Sequence, residues 1–474
     1  MKYRIYSLVL VGLLTGSVWA AERPNVIFLL CDDLGYGDVG YAFQNQRAAT
    51  GAVAIRTPVI DSLAASGTVL TDHYCAAPVC APSRASILTG KLTMDCSLQH
   101  NQFDRPIRET KTLGTVMKAA GYETYAVGKW GVGGGGESGE PVSAHPLDRG
   151  FDHYYGFMDH RAGHTYYHWD GYWGRAYMGV WEDRRKATET AVGRYSTDVF
   201  VARAKKYIED QLADMERRDN PFFMYLAINT IHGSGRNDAS LQTTTSLHVP
   251  GGAYVKSTTA DGKVIWPIPE EPLEKRNTYI NPEYCGLADP MAQRYATGIT
   301  RLDEALGDLV EFLKARGIFK NTIIVFTSDN GPAAEYGAHP DKFGSNGPFA
   351  GYKRDVFEGG MRVPTFVSWP GNPQACGKVV ETPSISSDWL GAFERLAADP
   401  TRVPIPVSAR IETRYDSPTG SSLAKAKNGH AGGRQWMKRE GDVVTLRAGG
   451  LDTPIQMYNV RTDPHQDRDL AREN

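Results

Sequence analysis

The sequence predicts an α/β protein built on a mostly parallel sheet flanked by helices. Three observations carry this. Short, continuous apolar runs recur along the chain with helix-period segments between them, the alternation that produces parallel strands joined by right-handed crossovers. Four of these runs end at a polar cluster, and open α/β sheets bind ligands beyond the carboxyl ends of their strands. Past residue 375 the pattern changes to short alternating runs, which predicts a smaller antiparallel sheet.

The elements follow in order. Asn25-Val26-Ile27-Phe28-Leu29-Leu30 is a buried-strand run bounded by Pro24 and by Asp32-Asp33. Thr57-Pro58 opens a helix with Ile60, Leu63 and Ala64 on one face. Leu113, Val116, Met117 and Ala120 keep helical spacing up to Gly121. Thr124-Tyr125-Ala126-Val127 is a strand ending at Gly128-Lys129-Trp130. The helix over Val199 to Met215 precedes the strand Phe222 to Ile228, which ends near His232. The helix over Arg301 to Leu313 precedes the strand Thr322 to Phe326, which ends at Ser328-Asp329-Asn330-Gly331. Residues 399–435 are rich in Pro, Ser, Gly and charge and read as irregular linking structure. Asp442 to Leu446 and Pro454 to Tyr458 read as antiparallel strands. The expected division is a leader over 1–21, an α/β domain over 22–375 and a C-terminal subdomain over 376–474.

The chain has 474 residues, 41% apolar and 22% charged, with a formal net charge of −2. Without a basic excess there is nothing to hold a nucleic-acid backbone. Lys2 and Arg4, the apolar run Leu8 to Leu14 and Val18-Trp19-Ala20-Ala21 read as a secretory signal. The apolar stretch is short of the roughly 20 residues a span needs. The expectation is a periplasmic or secreted protein with no stable membrane insertion. Six cysteines (31, 75, 80, 96, 285 and 376) are too sparse and irregular for a disulfide framework. No CxxC pair or HExxH run points to zinc.

The most informative stretch is Cys80-Ala81-Pro82-Ser83-Arg84, running to Thr89-Gly90. Pro82 is tolerated in a first helical turn, so Cys80 falls at or just before a helix N-terminus. That end favours an anion, and Arg84 adds a planar donor fork suited to a tetrahedral oxyanion. Taken alone, Cys80 also reads as a buried structural thiol. Asp32-Asp33 and Asp329-Asn330 offer carboxylates and an amide carbonyl, which suit a hard cation such as calcium or magnesium. Either pair alone also reads as a turn or cap.

C-x-P-S-R followed by T-G resembles the signature of the type I, formylglycine-dependent sulfatases. The likeness continues in Gly128-Lys129-Trp130, Gly351-Tyr352-Lys353, Glu358 to Pro364 and the closing Met457-Tyr458-Asn459-Val460-Arg461-Thr462-Asp463-Pro464. The resemblance implies an alkaline-phosphatase-like fold. It also implies oxidation of Cys80 to formylglycine by a formylglycine-generating enzyme, with the hydrated aldehyde as nucleophile. By the same resemblance one calcium ion per chain sits on Asp32, Asp33, Asp329, Asn330 and the modified Cys80. Lys129 and Lys353 bind sulfate, and His232 protonates the leaving oxygen. The implied reaction is hydrolysis of a sulfate monoester, with a sulfated carbohydrate as substrate. The alternatives are an arylsulfatase of broad specificity, a phosphodiesterase or phosphonate hydrolase of the same superfamily, and a silent glycan-binding protein in which Cys80 stays unmodified.

One departure stands out. Many sulfatases read G-K-W-H, with that histidine close to the formylglycine. This chain has Gly131 there. It is similar to a subset that continues through G-F-D-x-x-Y-G and H-x-Y-Y, present here as Gly150-Phe151-Asp152, Tyr155-Gly156 and His164-Thr165-Tyr166-Tyr167. The expectation is that His164 reaches the pocket and replaces the missing base; the alternative is that it reads substrate or packs among aromatics. The aromatic segment, with Tyr166 and Trp169 as candidate substrate contacts, reads either as a rim that stacks sugar faces or as a small apolar core.

Overall fold

The computed structural model describes residues 23–101, 105–135, 142–160, 162–168, 179–233, 247–334, 340–408, 410–417, 433–449 and 453–472. The leader segment and Trp169 lie outside the described residues.

Ten strands form one sheet in the order Lys378–Val380, Thr68–Leu70, Phe366–Ser368, Thr322–Ser328, Asn25–Cys31, Phe222–Ala227, Glu123–Lys129, His153–Phe157, Trp181–Glu182 and Arg185–Lys186. The central five, from Thr322–Ser328 to His153–Phe157, are parallel to one another. All seven residues of Asn25–Cys31 are buried, as a strand covered on both faces requires. Its side chains alternate between two layers. Ile27 and Leu29 pack with the helices Pro58–Ala65, Ser196–Ala213 and Pro290–Ala315, whose core contacts include Ile60, Phe200 and Leu302. Val26, Phe28 and Leu30 pack with Cys80–Thr89, Leu113–Ala119 and Trp389–Ala398 through Ile87, Met117 and Phe393. Burying each such side chain contributes about 1.5–3 kcal/mol, so the strand is anchored from both sides and its end is held in place.

The structure departs from the sequence reading in four places. His153–Phe157 is a full strand of the sheet, which the sequence analysis did not assign. The helix expected from Arg301 begins eleven residues earlier, at Pro290, capped by the Asp289 carboxylate accepting from the Met291 amide. Residues 411–417 and 433–440, inside or beside the stretch read as irregular, are paired strands. They complete a four-stranded antiparallel sheet with Val443–Arg447 and Gln456–Asn459. Finally, the core does not stop at 375. Lys378–Val380 pairs with Thr68–Leu70, and Trp389 meets Phe28 edge-on at 5.4 Å.

The small sheet is joined to the core by buried charge. Asp72 accepts from Arg362 and from Arg439, each at 2.7 Å, and Tyr74 donates to Glu358 at 2.9 Å. The Gly359 amide within Glu358–Met361 in turn donates to the Ala350 carbonyl at 2.6 Å, close in the chain to Lys353. All six cysteines are free thiols. Among the described residues no helix is long and apolar enough to cross a membrane.

Candidate active site

All five central parallel strands deliver a residue to one pocket at their carboxyl ends. Cys31 and Ser328 are paired in register, so Asp32 and Asp329, the next residue on each strand, come together. Lys129 is the last residue of its strand. His232 follows Phe222–Ala227, and His160 follows His153–Phe157. Cys80 opens a ten-residue helix buried along its whole length, with Val79 extended before it and Gly90 ending it at φ 68°, the left-handed turn glycine adopts without penalty.

The charges are closely knit. Lys129 Nζ donates to Asp32 Oδ2 at 2.6 Å. Arg84 Nε donates to Asp329 Oδ2 at 2.8 Å, and one of its terminal nitrogens donates to the Lys129 carbonyl at 2.9 Å. Lys353 Nζ donates to Asp33 Oδ2 at 2.8 Å and to His232 Nε2 at 3.0 Å. His232 Nδ1 lies 2.6 Å from the Gly233 carbonyl. A carbonyl only accepts, so Nδ1 carries the hydrogen and Nε2 is left to accept from the lysine.

Environment sets protonation. Burial alone would raise the Asp32 carboxyl, but Lys129, His232 and Arg84 outweigh it and hold the group far below the usual carboxylate range. Burial, reinforced by the Asp32 charge, pushes Asp329 up to about 7. Burial raises the Cys80 thiol. Burial lowers His232 to about 4, and it depresses His160 and His164 strongly. Burial therefore keeps these imidazoles neutral in the resting site.

The metal ligands expected from the sequence fit a hard cation. Oδ1 of Asp32 and Oδ1 of Asn330 are buried acceptors with no hydrogen-bond partner, which is costly unless something positive meets them. Ligand atoms of Asp32, Cys80 and Asp329 lie within 4.8 Å of one another, as do those of Asp32, Asp33 and His232. Asn330 Nδ2 donates to Asp33 Oδ1 at 2.8 Å, which turns the amide oxygen away as a free ligand. Three buried carboxylates (Asp32, Asp33, Asp329) face three buried cations (Arg84, Lys129, Lys353). A divalent cation would tip this balance positive and favour an anionic substrate.

The structure brings Cys80, Arg84, Lys129, His232, Lys353, Asp32, Asp33, Asp329 and Asn330 together. It corrects two expectations. The imidazole at Cys80 is His160, with Nε2 at 3.4 Å from Sγ; His164 instead stacks on His232, ring centres 4.0 Å apart and 17° from parallel. Tyr166 is fully buried behind the site. Its hydroxyl lies 2.9 Å from the Asn229 carbonyl and 3.1 Å from that of His232, so it supports the His232 loop and presents no face to a sugar. Tyr154, Tyr155 and Tyr167 are likewise buried. Two residues were missed. Asn101 Oδ1 sits 3.7 Å from Cys80 Sγ and accepts from the Ala81 amide at 3.4 Å. His160 follows a strand end, as Asp32, Asp329 and His232 do. Recognising His153–Phe157 as a strand would have revealed Asp159-His160 as its polar cluster.

Parallel strand ends thus converge on a buried thiol lined by cations, an arrangement suited to an anionic ligand. The family profile described as Sulfatase matches residues 24–397. The chain belongs to the sulfatase family. It is 29% identical over 375 residues to the N-acetylgalactosamine-6-sulfatase of Mus musculus, covering 74% of this chain and 58% of that one. It is 29% identical over 356 residues to arylsulfatase J of Mus musculus, covering 74% and 48%. The chain thus spans roughly half to three-fifths of the length of these curated relatives. Among solved structures, Ps i-CgsB in complex with k-i-k-neocarrahexaose superposes with a TM-score of 0.68 at 24% identity, over 95% of this chain and 89% of that one, which establishes the shared fold.

Proposed function

We propose that the protein is a sulfuric ester hydrolase that releases sulfate from a sulfated glycan, with residue 80 acting as nucleophile after oxidation to formylglycine. The observation that carries this is the convergence of Cys80 with Arg84, Lys129 and Lys353 around unpartnered buried oxygens on Asp32 and Asn330. A single calcium ion held by Asp32, Asp33, Asp329, Asn330 and residue 80 would lower the pKa of an oxygen bound to it and offset substrate charge.

The remaining work falls to side chains. Lys129 and Lys353 bind the sulfate oxygens as charge builds on them. Arg84 holds Asp329 and the Lys129 backbone in register. His232 supplies the proton to the departing alcohol: Lys353 Nζ, which donates to Nε2, transfers its proton there and becomes a neutral amine, and the N–H so formed on Nε2 is then broken to protonate the leaving oxygen. A glycan is favoured by the family's named members, among them an N-acetylgalactosamine-6-sulfatase. The N-terminal leader signature supports a periplasmic or secreted location.

The test is sulfate release from a panel of defined sulfated oligosaccharides, run with protein co-expressed with a formylglycine-generating enzyme. The peptide containing residue 80 is weighed in parallel. The reading requires release from at least one sugar sulfate, dependent on conversion of Cys80. Full activity with residue 80 still a thiol would overturn it. So would hydrolysis confined to aryl sulfates, phosphodiesters or phosphonates.

A further inference from the structure

We propose that His160 is the base that returns residue 80 to its aldehyde form in each turnover. This rests on the formylglycine reading above. Among the described residues, two side chains reach Sγ of Cys80: His160 through Nε2 at 3.4 Å and Asn101 through Oδ1 at 3.7 Å. Of these only the imidazole is an effective proton acceptor. Sγ stands here for an oxygen on the same carbon.

The surroundings are shaped to admit this ring. A Cβ on Gly131 would sit 3.4 Å from His160 Nδ1 and 3.7 Å from Lys129 Cε. Any longer side chain there would compete with the imidazole for its place. The backbone of Gly131 has φ +70°, a conformation that glycine adopts freely. The segment bearing His160 lies directly on the sulfate-binding lysine: a Cβ on Gly163 would come within 2.6 Å of Lys129 Cδ. Asp159 Oδ1 accepts from the Ala162 amide at 3.2 Å and closes the turn around His160. Two glycines and one turn thus seat an imidazole against the nucleophile, while His164 is engaged on the face of His232.

The step balances. After sulfate transfer, the carbon of residue 80 carries one hydroxyl and one oxygen bonded to sulfur. Nε2 takes the hydroxyl proton, that O–H electron pair forms the C=O bond, and the C–O bond to sulfate breaks. The sulfate leaves with the electron pair, and the proton passes from the imidazolium to water.

The test is His160→Gln, which retains size and hydrogen-bonding reach, alongside His160→Ala, each mixed with a substrate identified on the wild type. The expected result is release of the alcohol in a single burst, with kcat down about 10²–10⁴-fold, the usual range for a general base. Intact mass should then show one sulfo group retained on the peptide containing residue 80. The Gln variant guards against a loss that merely reflects the cavity left by Ala. Turnover of His160→Gln near the wild-type rate with no retained sulfo group would overturn the proposal. So would retention in His164→Gln in place of His160→Gln. A wild type that has formylglycine and turns over leaves the sulfatase reading standing in either case; a wild type lacking both sinks that reading first.

Discussion

The two walls of the pocket are built differently. On one side, Asp32, Asp329 and Lys129 extend directly from parallel strands that are paired residue by residue, and Arg84 lies in a helix with no exposed residue. On the other, His160, His164 and His232 stand on loops. These loops are held by a few cross-links: Tyr166 to the Asn229 and His232 carbonyls, Asn229 Nδ2 to the Thr165 carbonyl at 3.0 Å, and Ser196 Oγ to Asn229 Oδ1 at 2.8 Å. The first wall inherits its position from the sheet. The second inherits its position from side-chain hydrogen bonds, each worth about 0.5–1.5 kcal/mol net. The rigid wall carries Cys80 and, Lys353 apart, the charge, where misplacement by an ångström is most costly. The looped wall carries the histidines.

The contrast can be broken most severely at the strand wall. Asp329→Asn keeps the shape but removes the charge of a proposed metal ligand that also pairs with buried Arg84. The expected result is loss of bound calcium by elemental analysis and a fall in kcat/KM of about 10³-fold, the upper range for losing one pre-organised electrostatic partner. Retained calcium with near-normal turnover would place the metal elsewhere. Next comes His232→Ala on the looped wall. It should lower kcat about 10²-fold on a sugar sulfate but far less on 4-nitrophenyl sulfate, whose leaving oxygen needs no proton. Equal losses on both would remove His232 from proton donation.

Smaller effects sharpen the comparison. Tyr166→Phe removes one donor from the Asn229 and His232 carbonyls, the Asn229 carbonyl keeping the His232 amide at 2.9 Å. This should destabilise the protein by about 1–3 kcal/mol and lower kcat several-fold with little change in calcium content. The thermal midpoint and metal analysis check this together; loss of calcium would mean the walls are not independent.

The last test is pH. Burial depresses His168 and His248, both on the looped side, to about 3. The unfolded chain binds these protons near pH 6.5, so the unfolded state holds more protons between pH 6.5 and 3. Stability is therefore complete above pH 6.5 and declines as pH falls toward 3, by about 1.4 kcal/mol per group per pH unit at most. His248→Gln should flatten the decline of the thermal midpoint over that window. An unchanged slope would show that other groups govern it.

The strand wall was legible in the sequence because its residues adjoin the elements that place them. Asp32-Asp33 ends an apolar run, Asp329-Asn330 ends another, and Cys80 to Arg84 carries its own helix start. The looped wall was legible only in part. His232 follows a recognisable strand, but His160 follows His153-Tyr154-Tyr155-Gly156-Phe157, whose glycine and polar residues hide a strand buried by its neighbours. The paired strands 411–417 and 433–440 escaped notice for the same reason: cross-strand partners overrode weak local preference.

By itself, the sequence determined the strand-helix alternation and the charged groups that gather around Cys80, because hydrophobic period and strand-end chemistry are local properties of the chain. Only the tertiary structure decided which imidazole faces Cys80 and that Tyr166 is a brace behind the site. Those outcomes depend on the space left by Gly131 and Gly163 and on hydrogen bonds between segments more than sixty residues apart. No local pattern encodes such contacts, since they exist only once the sheet has brought its strand ends together.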